Sequence, residues 1–364
     1  MSGRVSSGTT EADVERRIEE MRRRPQIFRD ERITMAHGAG GKASRALVEG
    51  LVVPRLSNPA LDALTDAGLV EVGASRLAIT TDAYVVRPLR FPGGSIGELA
   101  INGTVNDLAV SGARPVALSA ALVLEEGLEA TILAAEIDAM GAAALAADVC
   151  VVTGDTKVVE RGKCDGMYVV TTGVGLVSEG VSLSPGGVRP GDRVLVSGTM
   201  GDHGIAILLA RGDLEIEADV QSDTQPLWDL ASALLDACGP ALRCMRDATR
   251  GGLATVLNEI AMASDTGIVL EESRVPIRPE VVGACEILGI DPFYVANEGK
   301  LVAVVAPEQV DVALAAMHAS PAGRDAAVIG AVAAAPAGRL LGRTTFGGHR
   351  LIDVLVGDPL PRIC

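Results

Sequence analysis

The sequence predicts an α/β protein with two domains, from its length, its composition and its pattern of apolar residues. A chain of 364 residues exceeds the usual size of one hydrophobic core. Hydrophobic residues make up 48% of the chain but aromatic residues only 2%, so aliphatic side chains must build the core. The 42 glycines suit tight turns between strands and helices. From Ile33 onward, β-rich runs alternate with Ala-rich helical runs, as in α/β proteins.

The first domain is predicted to span residues 33–188, after a polar N-terminal extension of residues 1–32 that lacks an apolar face. Runs of β-branched and apolar residues predict its strands, and apolar positions three or four residues apart predict its helices. The predicted strands are residues 76–81, 115–124, 148–154 and 167–177. The predicted helices are residues 42–52, 95–112 and 129–147.

The second domain is predicted to span residues 189–345. The Gly- and Pro-rich stretch SPGGVRPGD at residues 184–192 interrupts the alternation and predicts the boundary. Residues 346–364 are predicted to form a mobile tail, because the prolines of the DPLPRIC ending hold the chain extended. The predicted strands are residues 193–198, 300–306, 326–333 and 339–345, and the predicted helices are residues 226–238, 251–263 and 309–319.

The composition argues against several classes of function. The net charge of −15 disfavours binding to nucleic acid or to an anionic membrane, because either needs a cationic surface. The sequence has neither an apolar run of about 18 residues nor an N-terminal apolar signal segment. Because these segments are lacking, we expect a cytoplasmic protein with reduced thiols. The six cysteines include no C-x-x-C pair, which argues against a zinc knuckle.

A glycine cluster, AHGAGGKAS at residues 36–44, is a candidate phosphate-binding loop. It departs from the P-loop pattern because Ala43 stands where a serine or threonine should follow the lysine. Its backbone N–H groups, with Gly40, Gly41 and the charge of Lys42, nevertheless suit a polyphosphate. The alternative interpretation is a glycine hinge without a ligand.

Carboxylates placed after strands predict a cation site. Asp82 in TTDAYVV and Asp155 in TGDTKVV leave predicted strands in the same way, at the kind of edge where α/β sheets bind ligands. Between them, Asn106 and Asp107 interrupt an apolar helix, where polar groups are costly to bury without a partner. Oxygen ligands of this kind suit Mg²⁺ bridging nucleotide phosphates, and Lys157 follows Asp155 on the same face. Ordinary turn-capping aspartates are the alternative.

The motifs, taken in order, resemble one family over nearly the whole chain, from about Ile33 to Cys364. The chain resembles the HypE carbamoyl dehydratases, a family of hydrogenase maturation factors in the ATP-binding superfamily that resembles aminoimidazole-ribonucleotide synthetase (PurM-like). The motifs that carry this resemblance are AHGAGGK, TTDAYVV, NGTVNDLAVSGARP, TGDTKVV, GDRVLVSGTMGDHG, DATRGGL, NEGKL and the terminal PRIC.

The resemblance implies a fold and an activity. The fold is a PurM-like pair of α/β domains, in which the N-terminal domains of a homodimer share a barrel. In that family the carbamoyltransferase HypF places a carbamoyl group on the C-terminal cysteine, here Cys364, and ATP drives its dehydration to a thiocyanate. The cyano group then passes through the HypC–HypD complex to the iron of a [NiFe] hydrogenase.

The resemblance also implies roles for individual residues. Asp82, Asp107 and Asp155 would hold Mg²⁺, and Asn106 and Lys157 would contact nucleotide phosphates. The loop of Gly40, Gly41 and Lys42 would close over those phosphates. Glu298 is the first candidate for the base that removes the carbamoyl protons, and His203 is the second. Arg250, at a glycine-rich helix start, would bind an anion or the tail.

Two other functions remain open from the sequence. A related ATP-dependent synthetase or kinase would act on a free small molecule, such as selenophosphate or a purine intermediate, and would leave Cys364 without a role. A carrier scaffold without catalysis would pass the modified cysteine between maturation proteins and consume no ATP.

Overall fold

The N-terminal domain is an antiparallel-rich sheet with helices on one face. The computed structural model describes residues 27–212, 218–355 and 362–364. The strands of this domain are β1 (Gly68–Val72), β2 (Ser75–Tyr84), the short β3 (Arg90–Phe91) and β4 (Gly94–Ser95), β5 (Ala113–Glu125), β6 (Cys150–Val159) and β7 (Met167–Val177). Its helices are α1 (Lys42–Leu47), α2 (Val53–Leu56), α3 (Ile96–Val110) and α4 (Ala130–Ala146). The sheet order is β1-β2-β7-β5-β6, in which β5 and β6 are parallel and the other neighbours are antiparallel.

Small residues let α3 lie close against this sheet. Side chains of β7 alternate between the buried face under α3 and the opposite face. A Cβ at Gly173 of β7 would lie 2.8 Å from Thr104 of α3, and a Cβ at Gly103 would lie 2.2 Å from the hydroxyl of Tyr84. The close approach brings the polar side chains of α3 next to the ends of the strands.

Helix α3 also joins the two domains. Most of its side chains are buried on every side, because the sheet covers one face and the second domain covers another. Ala109 and Val110 at its end pack into an apolar cluster with Leu195 and Leu230 of the C-terminal domain. The N-terminal sheet and the second domain therefore share one buried helix.

The opposite face of the N-terminal sheet is exposed and partly apolar. Val70, Leu77 and Leu176 form one row across β1, β2 and β7 on this face. Ile79 follows two residues along β2, with 40% of its surface exposed. Contiguous exposed apolar side chains of this kind are typical of a protein interface.

The C-terminal domain is a mixed sheet of seven strands, as far as the described residues show. Its strands are β8 (Arg193–Val196), β9 (Leu242–Asp247), β10 (Gly267–Glu271), β11 (Leu301–Val305), β12 (Ala327–Ala333), β13 (Arg339–Arg343) and β14 (His349–Ile352), in the order β14-β13-β10-β12-β8-β11-β9. Its helices are α5 (Asp202–Ala210), α6 (Trp228–Cys238), α7 (Gly252–Ser264), α8 (Pro279–Leu288) and α9 (Val310–Ala319). Strand β11 is buried along its whole length, as its continuous apolar sequence LVAVV indicates.

The predicted two-domain α/β fold is confirmed, and each predicted strand and helix has a counterpart. The sequence pattern does not predict β1, β3, β4, β9, β10, β14, α5 and α8, which are short or lack a clear period. The helix predicted at residues 42–52 instead passes through a π turn, Val48–Val52, and ends at Leu56. None of the helices in the described ranges is long and apolar enough to cross a bilayer.

The predicted tail is partly wrong. Residues 349–352 form β14, which pairs antiparallel with β13 through a turn at Gly347, where φ is +84°. Residues 362–364 are docked on the body of the protein, while residues 356–361 lie outside the described residues, as do residues 1–26 of the predicted N-terminal extension. Backbone pairing with β13 satisfies the N–H and C=O groups of residues 349–352, which the sequence pattern did not reveal.

Candidate active site

Three carboxylates from separate elements meet beside α3. Asp66 precedes β1, Asp107 lies in the last turn of α3, and Asp247 ends β9. One oxygen of each lies within 4.8 Å of the others. Thr80 of β2 donates a hydrogen bond of 2.6 Å to Asp107 and fixes its orientation. Carboxylates this close together suit a hard divalent cation.

Burial and mutual repulsion raise the proton affinity of this carboxylate cluster. Burial, with the nearby charge of Asp66, raises the pKa of Asp247 to about 8. Burial raises the pKa of Asp66 to about 6, although Arg246 lies 2.7 Å from its carboxylate and opposes the shift. Burial and the charge of Asp82 raise the pKa of Asp107 well above its usual value. A divalent cation would relieve this repulsion, so the donor set fits Mg²⁺.

The predicted ligands Asp82 and Asp155 do not lie together in one chain. Across the sheet, Asp82 of β2 lies in one row with Thr171 of β7, Ala120 of β5 and Gly154 of β6. Asp155 is the next residue after Gly154, so it lies three strands from Asp82 and its side chain points to the opposite face of the sheet. Three strand spacings amount to about 14 Å. Asp155 is exposed and pairs with Lys157 at 2.6 Å. The similar sequence of the two motifs concealed that they lie on different faces of the sheet.

Two cavities lie beside the glycine loop, and one of them reaches the carboxylate cluster. One of about 410 Å³ is lined by Gly40 and Gly41, and one of about 330 Å³ extends from Gly40 to Asp66 and Asp247. Gly40 has a φ of +74°, and a Cβ there would lie 3.1 Å from Arg250. The predicted loop therefore borders the space next to the cluster.

Lys42 points away from this space. Its ammonium lies 2.9 Å from the carboxylate of Asp353, and its backbone N–H donates to the carbonyl of Leu355. The lysine predicted to bind phosphate instead joins the glycine loop to the segment that follows β14. The described structure therefore pairs the Lys42 ammonium with Asp353, and its contact with a phosphate stays a prediction.

Cys364 lies inside the site. Its carbonyl accepts a hydrogen bond of 3.0 Å from the backbone of Val85, and the preceding Ile363 is buried in the core. The small cavity of about 50 Å³ that it borders is also lined by Asp82, Tyr84, Gly103, Asp107, Asp247, Thr249, Arg250 and Glu298. The residue predicted to carry the reacting group therefore borders one cavity with Asp107 and Asp247 of the carboxylate cluster.

Glu298 is buried beside Cys364 and is held through its backbone. Its N–H donates to Asp223 at 2.9 Å, and its carbonyl accepts a hydrogen bond of 3.0 Å from Asn106. Burial raises the pKa of Glu298 well above its usual value, with Asp247 adding to the shift and Arg250 opposing it. A carboxyl group of raised pKa in the cavity that Cys364 also borders fits the predicted role of a base.

Asn106 does not face a phosphate. Its amide nitrogen donates to the carbonyls of Gln225 and Glu298, and its oxygen accepts from the N–H of Leu227. The side chain is 1% exposed. Three backbone groups use the amide in this structure, which does not support the phosphate contact, so that contact stays a prediction. Asn106 instead orients the segment that carries Glu298.

His203 holds the tail. Its Nε2 lies 2.7 Å from the carbonyl of Ile363, which can only accept, so Nε2 carries the hydrogen and donates. Its Nδ1 then accepts from Ser222 at 2.8 Å. Burial lowers the pKa of His203, which keeps the ring neutral. Both nitrogens are occupied, so the alternative prediction of His203 as the base is not supported.

Arg250 stands between the glycine loop and the tail, at the start of α7. Its guanidinium donates to the carbonyl of Gly38 at 2.8 Å, and the charge of Cys364 raises its pKa. Asp66 and Asp247 are the cluster members that the sequence reading missed. Asp247, like Asp82, is an aspartate near the end of a strand. In the sequence DATRGGL it also stands just before the glycine-rich start of a helix.

Comparisons with known proteins agree with this architecture. Residues 64–177 match the family described as AIR synthase related protein, N-terminal domain, and residues 189–342 match its C-terminal domain. The Carbamoyl dehydratase HypE of Rhodobacter capsulatus is 53% identical over 340 residues, which cover 93% of this chain and 99% of that protein. The chain belongs to the HypE family of carbamoyl dehydratases.

Solved structures of HypE proteins share the fold. The structure of a HypE–HypF complex matches with a TM-score of 0.81 and 40% identity over 85% of this chain and all of that one (100%). The structure of a HypE in complex with ATP matches with a TM-score of 0.77 and 45% identity over 92% of this chain and 100% of that one. Both matches span the two domains described above.

Proposed function

We propose that this protein is an ATP-dependent carbamoyl dehydratase that acts on its own C-terminal cysteine. The substrate is Cys364 carrying a carbamoyl group on sulfur, and the product is the thiocyanate. The observation that carries the proposal is the placement of Cys364 in one cavity with Glu298 and with Asp107 and Asp247 of the carboxylate cluster. A HypE of known structure binds ATP, and another forms a complex with HypF.

Residues of the site divide the chemistry between them. Asp66, Asp82, Asp107 and Asp247 would hold Mg²⁺, which neutralises phosphate charge during transfer. The two cavities beside Gly40 offer the space for the nucleotide. Arg250 supplies a cation between that space and the tail.

The reaction replaces a poor leaving group with a good one. The carbamoyl oxygen attacks the γ-phosphorus of ATP, the bond to ADP breaks, and Glu298 takes one proton from the carbamoyl nitrogen. The C–O bond then breaks, phosphate leaves with the second proton, and a carbon–nitrogen triple bond forms. The raised pKa of Glu298 gives it the proton affinity that this step needs.

We further infer that the protein acts as a homodimer through the open face of the N-terminal sheet. The exposed row with Leu176 and the exposed strand β6 support this interface. A second copy placed on that face explains how Asp155 and Lys157, which lie far from the cluster in one chain, reach a nucleotide site. We also propose HypF as carbamoyl donor, the HypC–HypD complex as acceptor and a cytoplasmic location, and the solved HypE–HypF complex supports the first of these.

Intact mass of the protein tests the proposal. Incubation with HypF and its carbamoyl donor should add one carbamoyl group, and MgATP should then remove one water from that adduct. Cys364→Ala should accept no group, while Asp236→Asn, a charge control on α6, should behave as the parent. A synthetase or kinase for a free small molecule would leave Cys364 unmodified, and a carrier scaffold would keep the carbamoyl mass with MgATP. Either result overturns the proposal.

A further inference from the structure

The docked tail is held by groups that do not face the carboxylate cluster. Asp165, in the loop before β7, forms an ion pair with the guanidinium of Arg362. Arg211, which follows α5, donates a hydrogen bond to the backbone carbonyl of Arg362. We propose that Asp165 and Arg211 are positioning residues that form a releasable latch on the tail. The latch sets how long the Cys364 thiol stays in the site before a partner protein can reach it. This inference rests on the proposed function.

The first arm of the latch is electrostatic. The guanidinium of Arg362 also donates to the carbonyl of Val85 at 3.4 Å, and Tyr168 donates to Asp165 at 3.2 Å. Burial opposes ionisation of Asp165, yet the hydrogen bond and charge of Arg362 lower its pKa below the usual value. Both partners of the pair remain partly exposed, at 27% for Arg362 and 33% for Asp165. A partly exposed ion pair stabilises weakly, so breaking this pair costs little free energy.

The second arm of the latch acts on the backbone. Arg211 donates to the carbonyl of Arg362 at 2.6 Å and to the carbonyl of Arg87 at 3.1 Å. The N–H of Arg87 also reaches the carbonyl of Arg362, at 3.4 Å. Arg211 therefore clamps the tail against the segment that follows β2, and the same segment binds Cys364 through Val85.

The docked tail holds Arg362 in a strained backbone conformation that other contacts must offset. Arg362 has a φ of +59°, a left-handed conformation that costs energy for a residue with a side chain. Ile363 next to it is 4% exposed and packs in the core, which aims Cys364 at the cavity. The contacts of Asp165 and Arg211 offset that strain in the docked state and are absent once the tail leaves.

A latch of this kind has opposite effects on the two steps of the cycle. Dehydration needs the thiol held within about 1 Å of its reactive position, so a loose tail slows it. Carbamoylation by the partner enzyme needs the tail undocked, so a loose tail favours it. General damage to the fold would slow both steps together, which makes the opposite signs diagnostic.

The test compares Asp165→Asn and Asp165→Lys with the charge control Asp236→Asn. Alkylation of Cys364, followed by peptide mass, reports docking without any enzyme activity. We expect it to speed up about threefold in Asp165→Asn, as for a partly exposed ion pair, and about tenfold in Asp165→Lys. The KM for the carbamoyltransferase should fall, the single-turnover dehydration rate should fall by a similar factor, and the KM for ATP should not change.

A double-mutant cycle identifies the partner of Asp165. In an Arg362→Gln background, Asp165→Asn should change alkylation much less than in the parent, since among the described residues only Arg87, 3.9 Å from Asp165, is left as a cation beside it. Full additivity would overturn the pair. Unchanged alkylation in both Asp165 variants, or equal slowing of both enzymatic steps, would also overturn the latch. Failure of the parent to dehydrate its adduct would instead overturn the proposed function, because the alkylation readout does not depend on it.

Discussion

At the scale of the residue, Glu298 and His203 are two buried side chains near the tail whose different contacts indicate different roles. Glu298 keeps its backbone in hydrogen bonds and borders the cavity of Cys364, so its carboxylate is placed to move protons. His203 uses both ring nitrogens for Ser222 and Ile363, so it holds the tail instead. Residue type alone makes both plausible bases, and only the contacts separate them.

Glu298→Gln should abolish dehydration while leaving docking intact. The amide keeps the shape but cannot take a proton, so we expect the single-turnover rate to fall by at least about a hundredfold. Carbamoylation and ATP affinity should stay near those of the parent. His203→Gln is the contrasting variant, because it should speed alkylation of Cys364. Near-normal turnover in Glu298→Gln would assign the base to another group.

The carboxylate cluster should make stability depend on pH. The folded pKa values of about 6 for Asp66 and about 8 for Asp247 exceed the usual value of about 3.9 for an unfolded aspartate. The folded state then binds more protons than the unfolded state, so the metal-free protein loses stability as pH rises from about 4 to about 8. Mg²⁺ should restore it near pH 8, because it replaces the protons.

Thermal melting with a chelator and with Mg²⁺, between pH 5 and about 8.5, measures this dependence. Asp247→Asn should flatten the chelator curve and reduce the gain from Mg²⁺. A metal-free protein that becomes more stable toward pH 8 would contradict the shifted carboxylates.

At the scale of the element, the glycine loop before α1 illustrates how backbone shape sets a binding surface. Gly40 lies in the left-handed region and touches Arg250, whereas Gly38 two residues earlier has open space where a Cβ would stand. The loop is also fixed at its far side by the pair of Lys42 and Asp353. The position of the loop beside the cavity therefore depends on Gly40 more than on Gly38.

Gly40→Ala should weaken ATP binding, and Gly38→Ala is its matched control. A left-handed conformation costs an alanine about 1 kcal/mol, and contact with Arg250 adds to that cost. We expect the ATP dissociation constant, measured by calorimetry, to rise at least about fivefold in Gly40→Ala. Equal affinities in the two variants would show that the loop does not contribute to the nucleotide site.

At the scale of the whole molecule, the exposed face of the N-terminal sheet is not covered by the described residues of one chain. The apolar row with Leu176 faces outward, and Asp155 and Lys157 stand at the exposed strand β6, away from the carboxylate cluster. A second copy covering this face would bury the row and supply the missing charges. Oligomeric state and activity should therefore change together.

Ile79→Glu should dissociate the dimer and reduce dehydration, because it places a charge on the open face of β2. Leu145→Glu, at an 84% exposed position of α4, is the control with the same chemical change. Sedimentation should show a folded monomer for the first variant and the parent state for the second. A monomeric Ile79→Glu that still dehydrates at the parent rate would show that the site is complete in one chain.

The sequence determined the elements and the chemical types of the site. The sequence predicts strand β7 at residues 167–177, and the structure has the same bounds, because a continuous run of β-branched and apolar residues specifies it. Cys364, Glu298, Asp82 and Asp107 were recognised from their motifs, and all four border one cavity. Local patterns suffice for these features, since each depends on residues adjacent in the chain.

The tertiary structure decided which side chains meet. Asp66 and Asp247 join Asp107 only because three separate elements converge, while Asp155 shares a motif with Asp82 but points from the opposite face of the sheet. Packing also places Asn106, which the sequence predicts as a phosphate ligand, in a hydrogen bond with the backbone carbonyl of Glu298. These outcomes depend on strand register and helix packing between distant segments, which a local pattern does not encode.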